Sequence, residues 1–284
     1  MNRHDVCTIG LVTCLLLFEA PAAVAQNDSQ PTAETSPSDN ERARRLQQMV
    51  EAAADYELSS RPEDGPPLKR IEQPVLRWSN PLRATGDGAV FLWTDKGRPA
   101  AALCIYTYGV DGVDHEWQSL AEGKLRATYR QSTVWQPQAA GLEFRLIPGD
   151  VEAVASTPTR RLRQMHNLLR DFTATVGRDQ WRHELRALTQ PIYRYDDNET
   201  EIIDGAIFSF AQATDPEVLL LLEARREKRQ PASWRWAAAR MSMAHLEVKH
   251  RGELVWSVDW TQGRDARQPY ITFVRQRSEV RRAP

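Results

Sequence analysis

Few residues in this chain combine side chains able to do chemistry. His115-Glu116-Trp117-Gln118-Ser119 puts an imidazole, a carboxylate and a hydroxyl within five positions, a set that would suit a nucleophile with its base. The stretch also begins like a zinc-helix motif, but no histidine follows four positions after His115. Its context is that of a strand, which turns alternate residues to opposite faces, so no shared metal face forms. The chain contains no Gly-x-Ser-x-Gly elbow, phosphate-cradling loop, Cys-x-x-Cys or dinucleotide fingerprint, so no cofactor and no metal are expected. Asp196-Asp197-Asn198-Glu199-Thr200-Glu201 is dense in oxygen ligands, yet it lacks the glycine and the spacing of a calcium loop and reads as a solvated turn. Cys104, inside Ala100-Ala101-Ala102-Leu103-Cys104-Ile105, reads as a small core hydrophobe.

Arg77 and Arg194 are the more interesting cations. Each stands between two large residues on an expected strand, Leu76 and Trp78 in one case and Tyr193 and Tyr195 in the other. Their forks must reach solvent or a carboxylate, with Asp87, Asp204, Asp55 and Asp171 as the internal partners. If the two forks meet without such partners, an anionic ligand belongs between them. Trp234 and Trp236 share a strand face, as do Trp256 and Trp260; exposed, such a ladder would stack a glycan or peptide, and buried it is core. Arg77, Arg194, Trp234 and Trp236 are therefore the candidate ligand contacts, with no catalytic residue assigned. The alternative is a hydrolase working near His115, Glu116 and Ser119.

The elements that must position these groups occur twice. Leu68 to Phe91 and Leu185 to Phe208 share 8 of 24 residues at an offset of 117 without a gap, where average composition gives about one or two. The shared residues include Gln73-Pro74 with Gln190-Pro191, and Asp87-Gly88 with Asp204-Gly205; Asp-Gly reads as a turn before a strand. Upstream, Arg44-Arg45-Leu46 and Met49 match Arg160-Arg161-Leu162 and Met165 at an offset of 116. Leu46, Met49, Ala53 and Tyr56, and likewise Leu162, Met165, Leu169 and Phe172, recur at helical spacing and predict one amphipathic helix per copy. The first helix starts near Ser38 to Asn40 and stops at Ser59-Ser60-Arg61-Pro62.

Strands are predicted over 89–94, 100–108, 116–122, 125–135 and 142–147, and over 202–211, 218–224, 234–243, 246–249, 255–260 and 270–275, from their aromatic and β-branched content. The expected architecture is α+β: an internal duplication whose copies each carry one helix followed by an antiparallel sheet of about five strands, related by a pseudo-two-fold axis.

Arg3, the apolar run Ile9 to Phe18 and Ala23-Val24-Ala25 predict a signal peptide over 1–25, since the run is too short to span a membrane. Residues 26–39 lack an apolar period and predict a disordered tether. Repeat 1 then covers 40–156 and repeat 2 covers 157–284. Removal of Arg3, Asp5 and Glu19 with the signal leaves 36 basic and 36 acidic residues, which gives no field to attract nucleic acid or an anionic membrane. Cys7 and Cys14 leave too, so no internal disulfide is possible and stability must come from packing. No transmembrane segment is expected in the mature chain.

The runs Arg160-Leu162-Gln164-Met165, Gln190 to Tyr195, Asp204 to Phe208 and Thr214-Asp215-Pro216-Glu217 before a leucine tract resemble an uncharacterised secreted family of planctomycete bacteria, over most of the mature chain. The resemblance implies an extracytoplasmic protein and brings no activity, cofactor or catalytic residue with it. The expected function is a secreted or periplasmic, non-catalytic binding or interaction module with its site in the groove between repeats, meeting an extracytoplasmic ligand or envelope partner. A structural envelope component is the third reading.

Overall fold

Alternation between two periodicities governs the architecture: each half of the chain opens with one short helix and continues as strands. The computed structural model describes residues 39–60, 65–81, 85–108, 112–197, 201–227 and 230–276. The expected signal peptide and tether lie outside these residues but for Asp39. Helix α1 spans Asp39–Ala54 and helix α2 spans Pro158–Arg170. Thr157 caps α2 by accepting the Arg160 N–H at 3.4 Å, and Pro158, at the first position, sacrifices only an N–H that would be unsatisfied there. Its stripe buries Met165, Leu168 and Leu169, each worth about 1.5–3 kcal/mol before entropy.

Tyr56 and Phe172 do not extend these stripes. They open strands β1 (Tyr56–Ser59) and β10 (Phe172–Val176), where burial alternates residue by residue. At α2 the change of period is fixed by Asp171, whose N–H caps the Leu168 and Leu169 carbonyls. An aromatic at the end of a helical stripe satisfies both periods, and only the partner strand decides between them.

After β1 come β2 (Lys69–Arg70), β3 (Leu76–Asn80), β4 (Thr85–Asp95), β5 (Arg98–Tyr108), β6 (Gly112–Ser119), β7 (Arg126–Tyr129), β8 (Ser132–Trp135) and β9 (Arg145–Leu146). After β10 come β11 (His183–Ala187), β12 (Tyr193–Tyr195), β13 (Ile202–Gln212), β14 (Asp215–Arg225), β15 (Ser233–Arg240), β16 (Leu246–His250), β17 (Glu253–Val258) and β18 (Tyr270–Gln276). All pairings named here are antiparallel. One sheet runs β18-β6-β5-β4-β2 with β3 also on β4; a second runs β17-β16-β10-β11-β13-β14-β15-β9 with β12 also on β13; a third is β1-β7-β8.

This overturns the α+β expectation. About 50% of the described residues are strand and 15% helical, and among them two helices lie against sheets of nine and six strands, so the fold is β-rich. Three causes account for the shortfall. The stretches between each helix and its Gln-Pro pair form strands β1, β2, β10 and β11 that are too short and polar to announce themselves. Residues 125–135, expected as one strand, fold into the β7–β8 hairpin, turning at Arg130 and Gln131 with φ of 48° and 70°. Finally, the sheets are completed across the middle of the chain. Strand β9 pairs with β15 through Arg145↔Trp236 and Leu146↔Arg235, whereas β18 pairs with β6 along its length, Ile271 opposite Trp117. Each half thus supplies the edge strand of the other's sheet.

The alternating side chains of the two large sheets feed three cores. Ala89, Phe91 and Trp93 of β4 pack with Met49 and Ala53 of α1, while Phe208 and Phe210 of β13 pack with Met165 and Leu169 of α2. Between the sheets lie Val90, Leu92 and Cys104 from one and Ile207, Leu219 and Leu221 from the other. The described residues form a single compact unit, and no described helix is long and apolar enough to cross a membrane.

The Asp-Gly pairs are not turns. Both lie inside long strands, where Trp78 stands opposite Gly88 and Tyr195 opposite Gly205. A Cβ at Gly88 would sit 2.3 Å from the Trp78 ring, and one at Gly205 would sit 2.5 Å from the Tyr195 ring; glycine is there to let an aromatic ring lie on the backbone. The aspartates anchor the helices. Asp204 accepts Arg194 Nε at 2.9 Å and Nη2 at 2.7 Å, and Arg161 Nε from α2 at 2.8 Å. Asp87 accepts Arg77 Nε at 2.9 Å and Nη2 at 2.6 Å, and Arg45 Nε from α1 at 3.3 Å. The same Nη2 groups donate to the Pro158 and Arg42 carbonyls of the helices' first turns at 2.7 and 2.6 Å. Asp55 and Asp171, the other expected partners, hold the hairpin arginines Arg130 and Arg251 instead.

Replacing Asp204 by Ala leaves Arg161 buried without its carboxylate and is expected to cost about 3–5 kcal/mol, read as a lower urea midpoint with an unchanged m-value. Gly205→Ala is expected to cost about 1–3 kcal/mol by the same measurement. Because each half lends the other an edge strand, separately expressed 40–156 and 157–284 should remain largely unfolded and regain sheet circular dichroism on mixing.

Candidate functional site

Strand β6 divides the His115 set between two faces. His115, Trp117 and Ser119 point toward α1, and Glu116 and Gln118 point toward the second large sheet; all five are buried. His115 Nδ1 lies 2.9 Å from the Tyr56 hydroxyl, and its ring stacks on Phe273 at 5.8 Å with a 13° tilt. Burial first, and then the charge of Arg275, push the imidazole down to about 3. Ser119 sits four strand residues away, about 13 Å along the strand, with the Trp117 indole between them. The Glu116 carboxyl takes a hydrogen bond from the Tyr270 hydroxyl and is raised well above the carboxylate range by burial. These groups cannot converge on one reacting atom.

Trp234 and Trp236, expected as a possible stacking ladder, are each 3% exposed and belong to the core beneath α2. Trp256 is half-buried against the same core. Two other indoles face outward: Trp260 past the end of β17, and Trp181 in a short 3-10 turn. Arg77 and Arg194 keep their forks on Asp87 and Asp204, so the condition for an anion between them, the absence of internal carboxylates, is not met.

Sequence reasoning missed the polar groups that line the space between the large sheets. At one end Glu223, fully buried on β14, accepts the Tyr195 hydroxyl at 2.7 Å, Arg98 Nε at 3.2 Å and Arg225 Nε at 2.5 Å. Glu122 joins by accepting Arg98 Nη2 at 2.7 Å and Arg225 Nη2 at 3.2 Å, which holds its carboxyl below the usual range against a partial loss of solvent. Both guanidinium groups lie over the Phe144 ring, at 5.3 and 4.2 Å. At the other end Asn80 Nδ2 donates to Asp215 Oδ2 at 3.1 Å, and Arg240 gives its three nitrogens to the carbonyls of Ser242, Asp259 and Ala244. Burial drives the Cys104 thiol up, and Glu116 and Asp215 add to it; Trp78 Nε1 donates to its sulfur at 3.2 Å. Cys104 is thus inert core. The one signal of all this in the sequence is Glu223, a carboxylate closing a run of four leucines.

Among the clefts that the described residues line, three bear on function. One of about 340 Å³ lies where the halves meet, lined by Ser60, the Asp95–Lys96 turn, Arg98, Glu122, Lys124 and, across it, Asp197. Another of about 410 Å³ is bounded by Arg161, Asp196, Asp197, Glu201 and Arg226; this is what the described part of the acidic loop lines, Asn198 to Thr200 lying outside the described residues. The third, about 430 Å³, runs under the C-terminal end of α2. Among the described residues no group of three or more His, Cys, Asp and Glu side chains is placed to hold a metal ion. Comparison with protein-family models, curated proteins and solved structures finds no match to this chain.

His115 has a measurable consequence. The folded chain keeps it neutral down to about pH 3, whereas the unfolded imidazole protonates near 6.5. The unfolded state therefore binds the extra proton, and native stability falls as pH drops from about 6.5 to 3. His115→Gln keeps a polar partner for Tyr56 but cannot titrate there. Urea denaturation across that window should show the variant losing less stability than the wild type, by as much as roughly 4 kcal/mol at pH 3.

Proposed function

We propose that the chain is a non-catalytic binding module of the extracytoplasmic space whose ligand is a short dipolar peptide segment seated in the cleft between the two halves. The observation that carries this reading is the construction of that cleft. The first half supplies its walls and the second half places Asp197 across from them, and its cations and carboxylates are interleaved: Lys96, Arg98 and Lys124 beside Asp95, Glu122 and Asp197. A surface of mixed sign favours a ligand that carries both charges and amide groups. Preorganisation supports the reading, because Arg98 is held by Glu223 and Glu122 before any ligand arrives. The turn at Gly97 is likewise tied to the second half by the Tyr193 hydroxyl, which donates to the Gly97 carbonyl at 2.9 Å. Groups fixed in advance lose little entropy on binding.

The N-terminal charge, apolar run and small-residue site, with the resemblance to a secreted planctomycete family, support the extracytoplasmic part. Matched positions at an offset of 117 and the matching strand pairings, β1 with β7 and β10 with β16, β4 with β5 and β13 with β14, support descent of the two halves from one duplicated unit.

The test is ligand-observed NMR of the full chain against a library of tripeptides. Hits are expected to lose about ten-fold or more in affinity in Lys124→Glu, whose residue is exposed, and to be retained in Ser119→Ala. Hits indifferent to Lys124→Glu, or turnover of a peptide that Ser119→Ala abolishes, would overturn the reading.

A further inference from the structure

The two large sheets place different residues at matching points beneath their helices. On β4, Trp93 stands opposite Arg70 of β2 and Ala101 of β5. On β13, Phe210 stands opposite Ala187 of β11 and Val218 of β14. The pairing partners are the same, but the second sheet carries a phenyl ring where the first carries a fully buried indole, and a methyl group where the first carries an arginine. On the helices above, Val50 of α1 is matched by His166 of α2. The space that Trp93 fills under α1 is therefore underfilled beneath α2, and the cleft of about 430 Å³ lies there. That volume falls within the roughly 300–1,000 Å³ of ordinary small-molecule sites.

The lining is sorted by chemistry. Leu169, Phe172, Leu185 and Phe210 make an apolar wall. Around it stand His166, Arg170 and the amide of Gln190. Arg170 is exposed at the last position of α2 and makes no ion pair with any described residue. His166 turns its ring edge-on to Phe208 at 5.9 Å. Its Nε2 is buried and has no hydrogen-bond partner among the described residues. A buried ring nitrogen without a partner loses the free energy of a hydrogen bond that a ligand atom would restore. No carboxylate lines the cleft, so its one full charge is positive.

We propose that this cleft binds a small amphipathic anion, its apolar body against Leu169, Phe172, Leu185 and Phe210 and its carboxylate between Arg170 and His166. The apolar wall gives affinity by area removed from water, and the Arg170 fork selects a carboxylate over a neutral head. The site is separate from the cleft between the halves and does not rest on the peptide reading.

Titration calorimetry of the full chain with sodium octanoate, with 1-octanol as the neutral isostere, tests the assignment. Wild-type protein is expected to bind octanoate saturably at one site, about ten-fold or more tighter than octanol. Phe210→Trp, which installs the residue found under α1, should abolish octanoate binding while thermal stability is kept or raised. Ala187→Leu blocks the same space from a half-buried position and settles the matter should the indole variant not fold. Arg170→Gln, at an exposed position, should bind octanoate and octanol alike. The proposal is overturned by absence of saturable octanoate binding, by equal wild-type affinity for octanoate and octanol, or by undiminished octanoate binding in a folded space-filling variant.

Discussion

Everything above the sheets hangs on a carboxylate buried inside a strand. Asp87 and Asp204 each receive one arginine from the neighbouring short strand and one from the helix overhead. A buried carboxylate is costly unless charged donors surround it, so helix, edge strand and long strand must all be in place at once. Glycine after each aspartate then lets the aromatic after each arginine lie flat on the long strand. The arrangement sets the position of both helices and, with them, which apolar residues face each outer core.

The faces left over meet each other. The inter-sheet core is apolar in the middle, from Val90, Leu92, Ile207 and Leu221, and polar at both ends. Glu223 with Arg98 and Arg225 closes one end with paired charge, whereas at the other Glu116 accepts from the Tyr270 hydroxyl, Asp215 from the Asn80 amide, and Arg240 donates to backbone carbonyls. Exchange of β9 and β18 between the halves completes both sheets and covers edges that would otherwise invite pairing with another chain. The two outer cores differ in their packing. One is built around Trp93, Trp117 and Trp135; the other carries a phenylalanine and an imidazole in the same region, where a cleft opens.

Much of this was legible in advance, in particular places. The matched Arg, Asp, Gly and aromatic positions were visible as a pattern, and so were most of the long strands, because apolar alternation and turn residues are local signals. The chemistry of the pattern was not. Asp-Gly reads locally as a turn, and only a ring packed on the glycine shows that it lies within a strand. His115, Glu116 and Ser119 look like a site because they are close in sequence, but a strand separates them by face and by distance. The clefts escaped sequence reasoning for the opposite reason. The pair His166 and Arg170 on α2, Gln190 and Phe210 come from three separate stretches of the chain, and none announces a site on its own.

By itself, then, the sequence determined the composition of the two halves, part of the apolar stripe of each helix, the near-neutral charge and the short set of aspartates from which the arginine partners are drawn, since all of these depend on residue type and short spacing. Tertiary structure alone decided that the fold is β-rich, that Tyr56 and Phe172 leave their helices, that Trp234 and Trp236 are core, and that each half lends the other an edge strand. The physical reason is common to them all. Strand pairing is a long-range interaction that here brings together residues as distant in the chain as Gly112 and Gln276, and local propensity carries no record of which edge a strand will meet.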